Sequence, residues 1–180
     1  MCRIGTFLLT DGLEDLERWA ADARVRERWL RAQAEEEASL AGVLLALAER
    51  RETVVATTAG GRRYRGVVTG VGVDFAVLQA PGGATTLVTL ASLADVRVVE
   101  GTGLTTGDGG GRGDLGVRLG DVLAQAAGQR PRVAVQAGAA SVVCDLRAVG
   151  SDVLTLRTDA AAIVYVGLAS VSEVSFLASG

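Results

Sequence analysis

The sequence contains no histidine, no lysine and no asparagine, and all of its 18 basic side chains are arginine. Without histidine the chain has no ordinary general base near neutral pH and no imidazole ligand for a metal, which excludes catalytic triads and most zinc sites. Without lysine it can form neither a Schiff base nor a Walker loop for phosphate. We therefore expect a protein that is not an enzyme and that binds no metal or other cofactor.

Cysteines and long apolar runs are also scarce. Cys2 and Cys144 lie far apart in no CxxC motif, and the valines and leucines around Cys144 favour a buried thiol over a reactive one. The first residues form only a short apolar run, and no stretch approaches the roughly 18 uncharged residues of a membrane helix. The net charge of −3 creates no strong field toward phosphate or a membrane surface. These features predict a cytoplasmic protein without membrane association.

What the chain does contain is an internal repeat. A shift of 78 residues aligns residues 71–75 with residues 149–153 (149 − 71 = 78), with the sequences VGVDF and VGSDV. The same shift, without a gap, pairs Val55 with Val133 and also aligns the segments that precede the strands. A self-similar unit of this length predicts a small domain copied once.

The composition along the chain indicates four parts. Strong helix formers with no proline predict one long helix over residues 13–51. Short β-rich runs separated by turn signals follow, a pattern typical of a small antiparallel barrel. A stretch rich in Gly, Thr and Asp predicts a flexible linker, and the second copy comes after it. The predicted domains are an N-terminal helical segment (1–52), a first barrel (53–99), the linker (100–118) and a helix with a second barrel (119–177).

Two elements have clear local signals. Residues 75–79 predict a strand, because they are followed by the turn sequence Pro-Gly-Gly. Residues 119–127 predict a short helix, because Gly128 follows directly and Pro131 lies just beyond, as at many helix C-termini. Each copy therefore has a helix followed by five short strands.

This order resembles the Sm-like superfamily, which includes the bacterial RNA chaperone Hfq. The resemblance is carried by Gly66 in the second strand, by Asp74 and Asp152 at the next turn, and by the LASL and LASV segments at 90–93 and 168–171. It implies a mainly β fold with α-helix, in which two tandem Sm-like five-stranded barrels are each preceded by a helix. It also implies association into homo-oligomers by pairing of open edge strands. Because both copies keep the Asp, we expect it to bond the local backbone of the turn rather than to act in catalysis.

Residues 10–177 also resemble an actinobacterial protein family with a Trp-bearing N-terminal helix, to which no activity is assigned. The Sm-like nucleotide pocket is not implied, because Val77 and Thr155 stand near the position where uridine-binding members carry Asn. The chain also lacks the Lys and His that Hfq uses. The resemblance therefore implies the fold and not the pocket.

Arg62, Arg63, Tyr64 and Arg65 form a candidate nucleic-acid site. On a strand, Arg63 and Arg65 face one side while Arg62 and Tyr64 face the other. A guanidinium pair could then contact phosphates while Tyr64 stacks on a base. The alternative is an exposed strand whose arginines keep it soluble and discourage edge pairing. The second copy has no such residues at this position, so the site would exist once per chain.

Trp19 and Trp29 are the candidate contacts for a protein partner. They are ten positions apart, which is close to three helical turns, so they share one face with Leu16 and Leu30. The rest of that face is polar, which indicates either an interface with another chain or packing against the protein's own barrels. Together these features predict a non-enzymatic, oligomeric binding or scaffold protein, and the alternative function is weak binding of RNA or other single-stranded nucleic acid.

Overall fold

A computed structural model describes residues 25–26, 39–99 and 113–177. Of the N-terminal segment it describes only Val25, Arg26 and Ser39, of which the first two are helical. The described residues from Leu40 onwards belong to one compact unit. Within them the chain forms two α-helices and ten β-strands, so that each copy of the repeat contributes one helix and five strands.

The two copies have the same order of elements, and in each a single 3-10 turn precedes the fifth strand. The first repeat comprises α1 (Leu40–Arg50), β1 (Thr53–Thr58), β2 (Arg63–Val71), β3 (Phe75–Gln79), β4 (Thr85–Thr89), the 3-10 turn Leu90–Ser92 and β5 (Leu93–Val98). The second comprises α2 (Leu119–Ala127), β6 (Arg132–Ala137), β7 (Ala140–Val149), β8 (Val153–Arg157), β9 (Ile163–Gly167), the 3-10 turn Leu168–Ser170 and β10 (Val171–Phe176). The predicted bounds of β3 and α2 are confirmed.

The ten described strands form one sheet in the order β5-β1-β2-β3-β4-β10-β6-β7-β8-β9. Each repeat occupies one half of it, and the halves join where β4 pairs antiparallel with β10, from Thr85 opposite Phe176 to Val88 opposite Glu173. The prediction of two tandem Sm-like five-stranded barrels is therefore wrong. An edge strand of each repeat is paired with the other repeat, because this pairing satisfies backbone groups that two separate barrels would leave to solvent.

The prediction of one helix over residues 13–51 is also wrong, because Ser39 is not helical and α1 begins at Leu40. Serine is favoured just before a helix, where its hydroxyl can accept a hydrogen bond from a first-turn N–H. At the other end Arg51 has a positive φ of 53°. The N–H groups of Arg51 and Glu52 donate to the carbonyls of Ala48 and Leu47, a Schellman arrangement that ends α1. Apart from Val25, Arg26 and Ser39, the predicted helix before Leu40 lies outside the described residues.

The 78-residue shift holds from the second strand of each repeat onwards. Val67 pairs with Gln79 and Asp145 with Arg157 (145 − 67 = 78), and both ladders contain a bulge one residue later, after Val68 and after Leu146. These equal registers confirm that the second repeat copies the first over its last four strands.

Before the second strand the shift is 79. Strand β1 begins at Thr53 and β6 at Arg132 (132 − 53 = 79), so the prediction of an alignment without a gap is wrong. The buried Val133 therefore corresponds to Val54, which is also buried, and not to Val55. The Thr58 N–H donates to Arg62 O across three residues (59–61), whereas the paired residues Ala137 and Ala140 enclose two (138–139). The first turn is therefore one residue longer, and a short polar turn accepts such a change without altering the sheet.

The described residues form two hydrophobic clusters. In the first repeat, α1 packs with Leu44 and Ala48 against inward residues of its own strands, such as Val54 and Val68. The second cluster contains the corresponding residues of α2 and β6–β10, but it also takes in Phe75 and Leu87 from the first repeat. The junction between the repeats is therefore packed as well as hydrogen-bonded, and each such fully buried side chain stabilises it by about 1.5–3 kcal/mol.

Candidate functional site at the repeat junction and the sheet edges

Arg62, from the predicted nucleic-acid site, lies at the junction between the repeats. It ends the turn between β1 and β2, and its Nη1 donates a hydrogen bond to Gln136 Oε1 at 2.8 Å. Its Nε lies 3.5 Å from Glu173 Oε1, and the Glu173 side chain is only 4% exposed. Both partners belong to the second repeat. Arg62 therefore binds across the junction and neutralises a buried carboxylate, which would otherwise be costly.

Tyr64 lies on the same side of β2 as Arg62, as its spacing predicts. The Arg62 guanidinium carbon is 5.9 Å from the centre of the Tyr64 ring, within the range of a cation–π contact. The Tyr64 hydroxyl and Glu173 Oε2 are both buried, and neither has a hydrogen bond of good geometry among the described residues. Burial and then the neighbouring Glu173 raise the pKa of Tyr64. The ring packs against the first core, so Tyr64 contributes to the junction.

Arg63 and Arg65 lie on the opposite side of β2 and are exposed. Neither side chain takes part in any of the ion pairs found within residues 39–99 and 113–177. The structure thus divides the predicted site, with two residues in the junction and two at the surface. The nucleic-acid role of the four residues stays a prediction.

The residues predicted to contact a protein partner, Leu16, Trp19, Trp29 and Leu30, lie outside the described residues. In the part of the chain that the structure describes, no three His, Cys, Asp or Glu side chains are grouped as metal ligands would be. No helix among the described residues is both long enough and apolar enough to cross a bilayer.

Cys144 is fully buried in β7, as predicted. It occupies the position of Gly66 in the first repeat (144 − 66 = 78), where a Cβ would lie 2.5 Å from the Gln79 carbonyl oxygen. Burial, followed by the nearby Asp145, raises the pKa of the Cys144 thiol to about 11. The thiol is therefore protonated near neutral pH and has little nucleophilic character.

Asp74 has a role that sequence reasoning did not predict. Its Oδ1 accepts a hydrogen bond of 2.8 Å from the backbone N–H of Leu119, the first residue of α2. The side chain therefore stabilises the start of the helix of the other repeat, where N–H groups lack partners within the helix and a negative charge is favourable. The prediction that this side chain bonds the local backbone of its own turn is wrong, although its backbone carbonyl accepts from the nearby Leu90 N–H.

The end of the predicted linker is held against the first repeat. The Val71 N–H donates to Gly113 O at 2.8 Å, and the Leu115 N–H donates back to Val71 O at 2.9 Å. Two residues further along, the Val73 N–H donates to Val117 O. These bonds bring the chain alongside the end of β2 and place the start of α2 beside Asp74.

Asp152 is the repeat counterpart of Asp74 (152 − 74 = 78). Its backbone carbonyl accepts from the Leu168 N–H at 2.7 Å, as Asp74 accepts from Leu90 at 2.9 Å. Its carboxylate is exposed and has no hydrogen bond within the described part of the chain. The copied Asp therefore has the same backbone environment in both repeats, but among the described residues Asp74 alone of the two binds the start of a helix.

The described sheet ends in two unpaired edges, β5 and β9. These strands are the repeat counterparts of β10 and β4, which pair with each other at the junction. Exposed apolar residues lie along both edges: Val98 in β5 is 48% exposed, and Ile163 and Tyr165 in β9 are 49% and 71% exposed. Both edges therefore combine free backbone groups with apolar side chains.

No protein-family model and no curated protein matches this chain. The resemblance to the Sm-like superfamily and to the actinobacterial family therefore remains a prediction.

Proposed function

We propose that this chain is a cytoplasmic, non-enzymatic oligomeric binding or scaffold protein, whose copies associate through the edge strands β5 and β9. The observation that carries the proposal is the contrast within the repeat. Strands β4 and β10 are largely buried where they pair, whereas their counterparts β9 and β5 end the sheet and expose apolar residues.

The physical argument rests on the cost of an open edge. An edge strand presents a row of backbone N–H and C=O groups to solvent, and most proteins protect such rows with charged residues, proline or a covering element. Strand β9, with the sequence IVYVG, contains neither charge nor proline. Pairing with a further strand would satisfy these groups and cover Ile163 and Tyr165 at the same time.

The test is the mass of the full chain in solution, measured by light scattering at tens of micromolar. We expect a mass of at least two chains, and we expect the double substitution Ile163→Arg, Tyr165→Arg to return it to one. Val143→Arg is the matched control, because Val143 is 44% exposed but lies in β7, inside the sheet. A monomeric wild-type chain at this concentration would rule out the oligomeric scaffold.

Arg63 and Arg65 favour a second function, the binding of single-stranded nucleic acid. Both guanidinium groups are exposed on one side of β2 and lack an ion pair with any described residue, so they are available to phosphates. Two phosphate contacts support only weak binding, because affinity for nucleic acids increases with the number of phosphates neutralised.

A further inference from the structure

Three features of the second repeat meet the first repeat at the internal junction. Strand β10 pairs with β4. The start of α2 binds the Asp74 carboxylate through the N–H of Leu119. The Leu119 side chain is buried, at 2% exposure, in the cluster that also contains Leu87 of β4.

The counterparts of these features lie open on the rest of the molecule. Leu40, which corresponds to Leu119 (119 − 40 = 79), is the first residue of α1 and is 40% exposed. Tyr165, which corresponds to Leu87, is 71% exposed. Asp152 lies beside β9, and no helix in residues 39–99 and 113–177 begins at its carboxylate. The second repeat therefore carries an exposed copy of the surface formed by β4 and Asp74. The first repeat carries an exposed copy of the surface formed by β10 and the start of α2.

We propose that Asp152 of one copy accepts a hydrogen bond from the backbone N–H of Leu40 in a second copy, so that chains join head to tail in the arrangement of the internal junction. The proposal rests on the proposed oligomeric function and names its partner, which is a second copy of this chain. The head is the surface formed by β9 and Asp152, and the tail is the surface formed by β5 and the start of α1.

The repeat also specifies the register of the two strands. Internally, Phe176 lies opposite Thr85 and Val174 opposite Leu87. Subtracting 78 from the β10 position and adding 78 to the β4 position places Val98 opposite Ile163 and Val96 opposite Tyr165. Val98, Ile163 and Tyr165 are the apolar residues that are exposed on the edges. Head-to-tail pairing therefore places the exposed apolar side chains of the two edges beside each other.

The Arg62 contacts, like the hydrogen bond between Thr86 and Ser175, have no counterpart between copies. Arg62 would correspond to Ala140 (140 − 62 = 78), and Glu173 corresponds to Asp95, which already binds Thr57 and Arg97 in its own repeat. The junction between copies therefore lacks the ion pair of Arg62 and Glu173. Asp152 is then the charged side chain of the head that remains to bind the tail.

A pair of blocked chains isolates a single junction. In the head-blocked chain, Ile163→Arg and Tyr165→Arg disable β9; in the tail-blocked chain, Val98→Arg disables β5. In a head-to-tail interface a head binds a tail and does not bind another head. We therefore expect each blocked chain to be monomeric alone and the mixture to form a heterodimer through the intact head of one and the intact tail of the other.

The bond itself is tested by a double-mutant cycle in this heterodimer. Asp152→Ala goes into the chain with the intact head, and Leu40→Pro into the chain with the intact tail. Proline is well tolerated at the first position of a helix but has no N–H to donate. Leu40→Ala, which keeps the N–H, is the reference for the lost side chain, and Asp145→Ala is the charge-matched control for Asp152.

We expect Asp152→Ala to raise the dissociation constant about fivefold, as for the loss of a typical helix cap. Leu40→Pro should have a similar effect relative to Leu40→Ala, and the two changes together should add little, because both remove the same bond. Equal dissociation constants for Asp152→Ala and Asp145→Ala, or fully additive effects in the cycle, would overturn the inference.

The outcomes also separate this inference from the proposed function. If the wild-type chain assembles but the blocked chains do not combine, or if the tail-blocked chain dimerises alone, the head-to-tail geometry is wrong and the scaffold remains. If the wild-type chain is monomeric and the blocked chains do not combine, both proposals fail.

Discussion

Leu87 and Tyr165 occupy the same position in the two repeats, but Leu87 is 3% exposed and Tyr165 is 71% exposed. Their strands have the same length, the same register with the preceding strand and the same following 3-10 turn. The difference comes from the neighbour, since β4 pairs with β10 while β9 lies at the edge of the described sheet. The repeat therefore does not complete its own surface, and the burial of its fourth strand depends on the strand placed beside it.

The same substitution at these two positions should have its largest effect at Leu87. Leu87→Arg places a charge in the shared core, and we expect it to lower the free energy of unfolding by about 3 kcal/mol or more. Tyr165→Arg should change the stability of the separated chain by less than about 0.5 kcal/mol, as for an ordinary surface change. Urea unfolding at low protein concentration measures both, and equal losses would contradict the comparison.

Arg62 forms an ion pair at the internal junction, whereas the equivalent residue of the second repeat is Ala140. The removal of Arg62 should therefore lower the free energy of unfolding. Arg62→Ala leaves Glu173 buried without a cation, and we expect a loss of about 2 kcal/mol in the free energy of unfolding. Glu173→Gln in the same chain should recover part of the loss, because the uncompensated charge is removed. Arg63→Ala is the control on the exposed side of the strand. If Arg62→Ala is as neutral as Arg63→Ala, the ion pair does not stabilise the junction.

The thiol of Cys144, for which the counterpart Gly66 has no equivalent, makes the stability of the folded chain depend on alkaline pH. The pKa of Cys144 is raised from 9.0 to about 11, so above pH 9 the unfolded chain loses its thiol proton before the folded chain does. The contribution of the protonated, buried thiol to the free energy of unfolding is therefore complete below pH 9. About 2–3 kcal/mol of this free energy is lost as the pH rises to about 11. Urea unfolding across this range should show a smaller decline for Cys144→Ala than for the wild-type chain, and parallel declines would contradict the assignment.

Arg63 and Arg65 correspond to Ser141 and Val143 in the second repeat, so any phosphate binding should come from the first repeat alone. We expect fluorescence anisotropy with single-stranded RNA to show micromolar or weaker binding at physiological salt. Two contacts give a log–log salt dependence of about −1.4. Arg63→Ser with Arg65→Ser should abolish the signal without loss of fold. Tight binding that survives both changes would place the site elsewhere.

Local patterns were sufficient to predict much of each repeat. Strand β3 and helix α2 have the bounds that their flanking turn signals predict, because turn residues and helix stop signals act within a few positions of the chain. The alternation that separates Arg62 and Tyr64 from Arg63 and Arg65 also holds. The start of α1 was missed because the preceding residues, like those of α1, are strong helix formers and Ser39 is a weak local signal.

The junction could not be predicted from local patterns. Arg62 and Glu173 are 111 positions apart (173 − 62 = 111), and no local pattern identifies either residue as the partner of the other. Period-two alternation predicts which residues share a face, but the partner of an edge strand depends on how the whole sheet is ordered. One signal was available: Glu173 is the only charged residue in the otherwise apolar and hydroxyl-bearing strand β10. A lone carboxylate in such a strand suggests a cation nearby.

The covalent connection between the repeats has a consequence for dilution. The contact of β4 with β10 is intramolecular, so its formation does not depend on protein concentration, whereas a contact between chains obeys mass action. Every assembly of whole chains therefore contains an even number of repeats. In a head-to-tail assembly, the contacts that contain Arg62 would alternate with contacts that lack it, and only the latter would open on dilution.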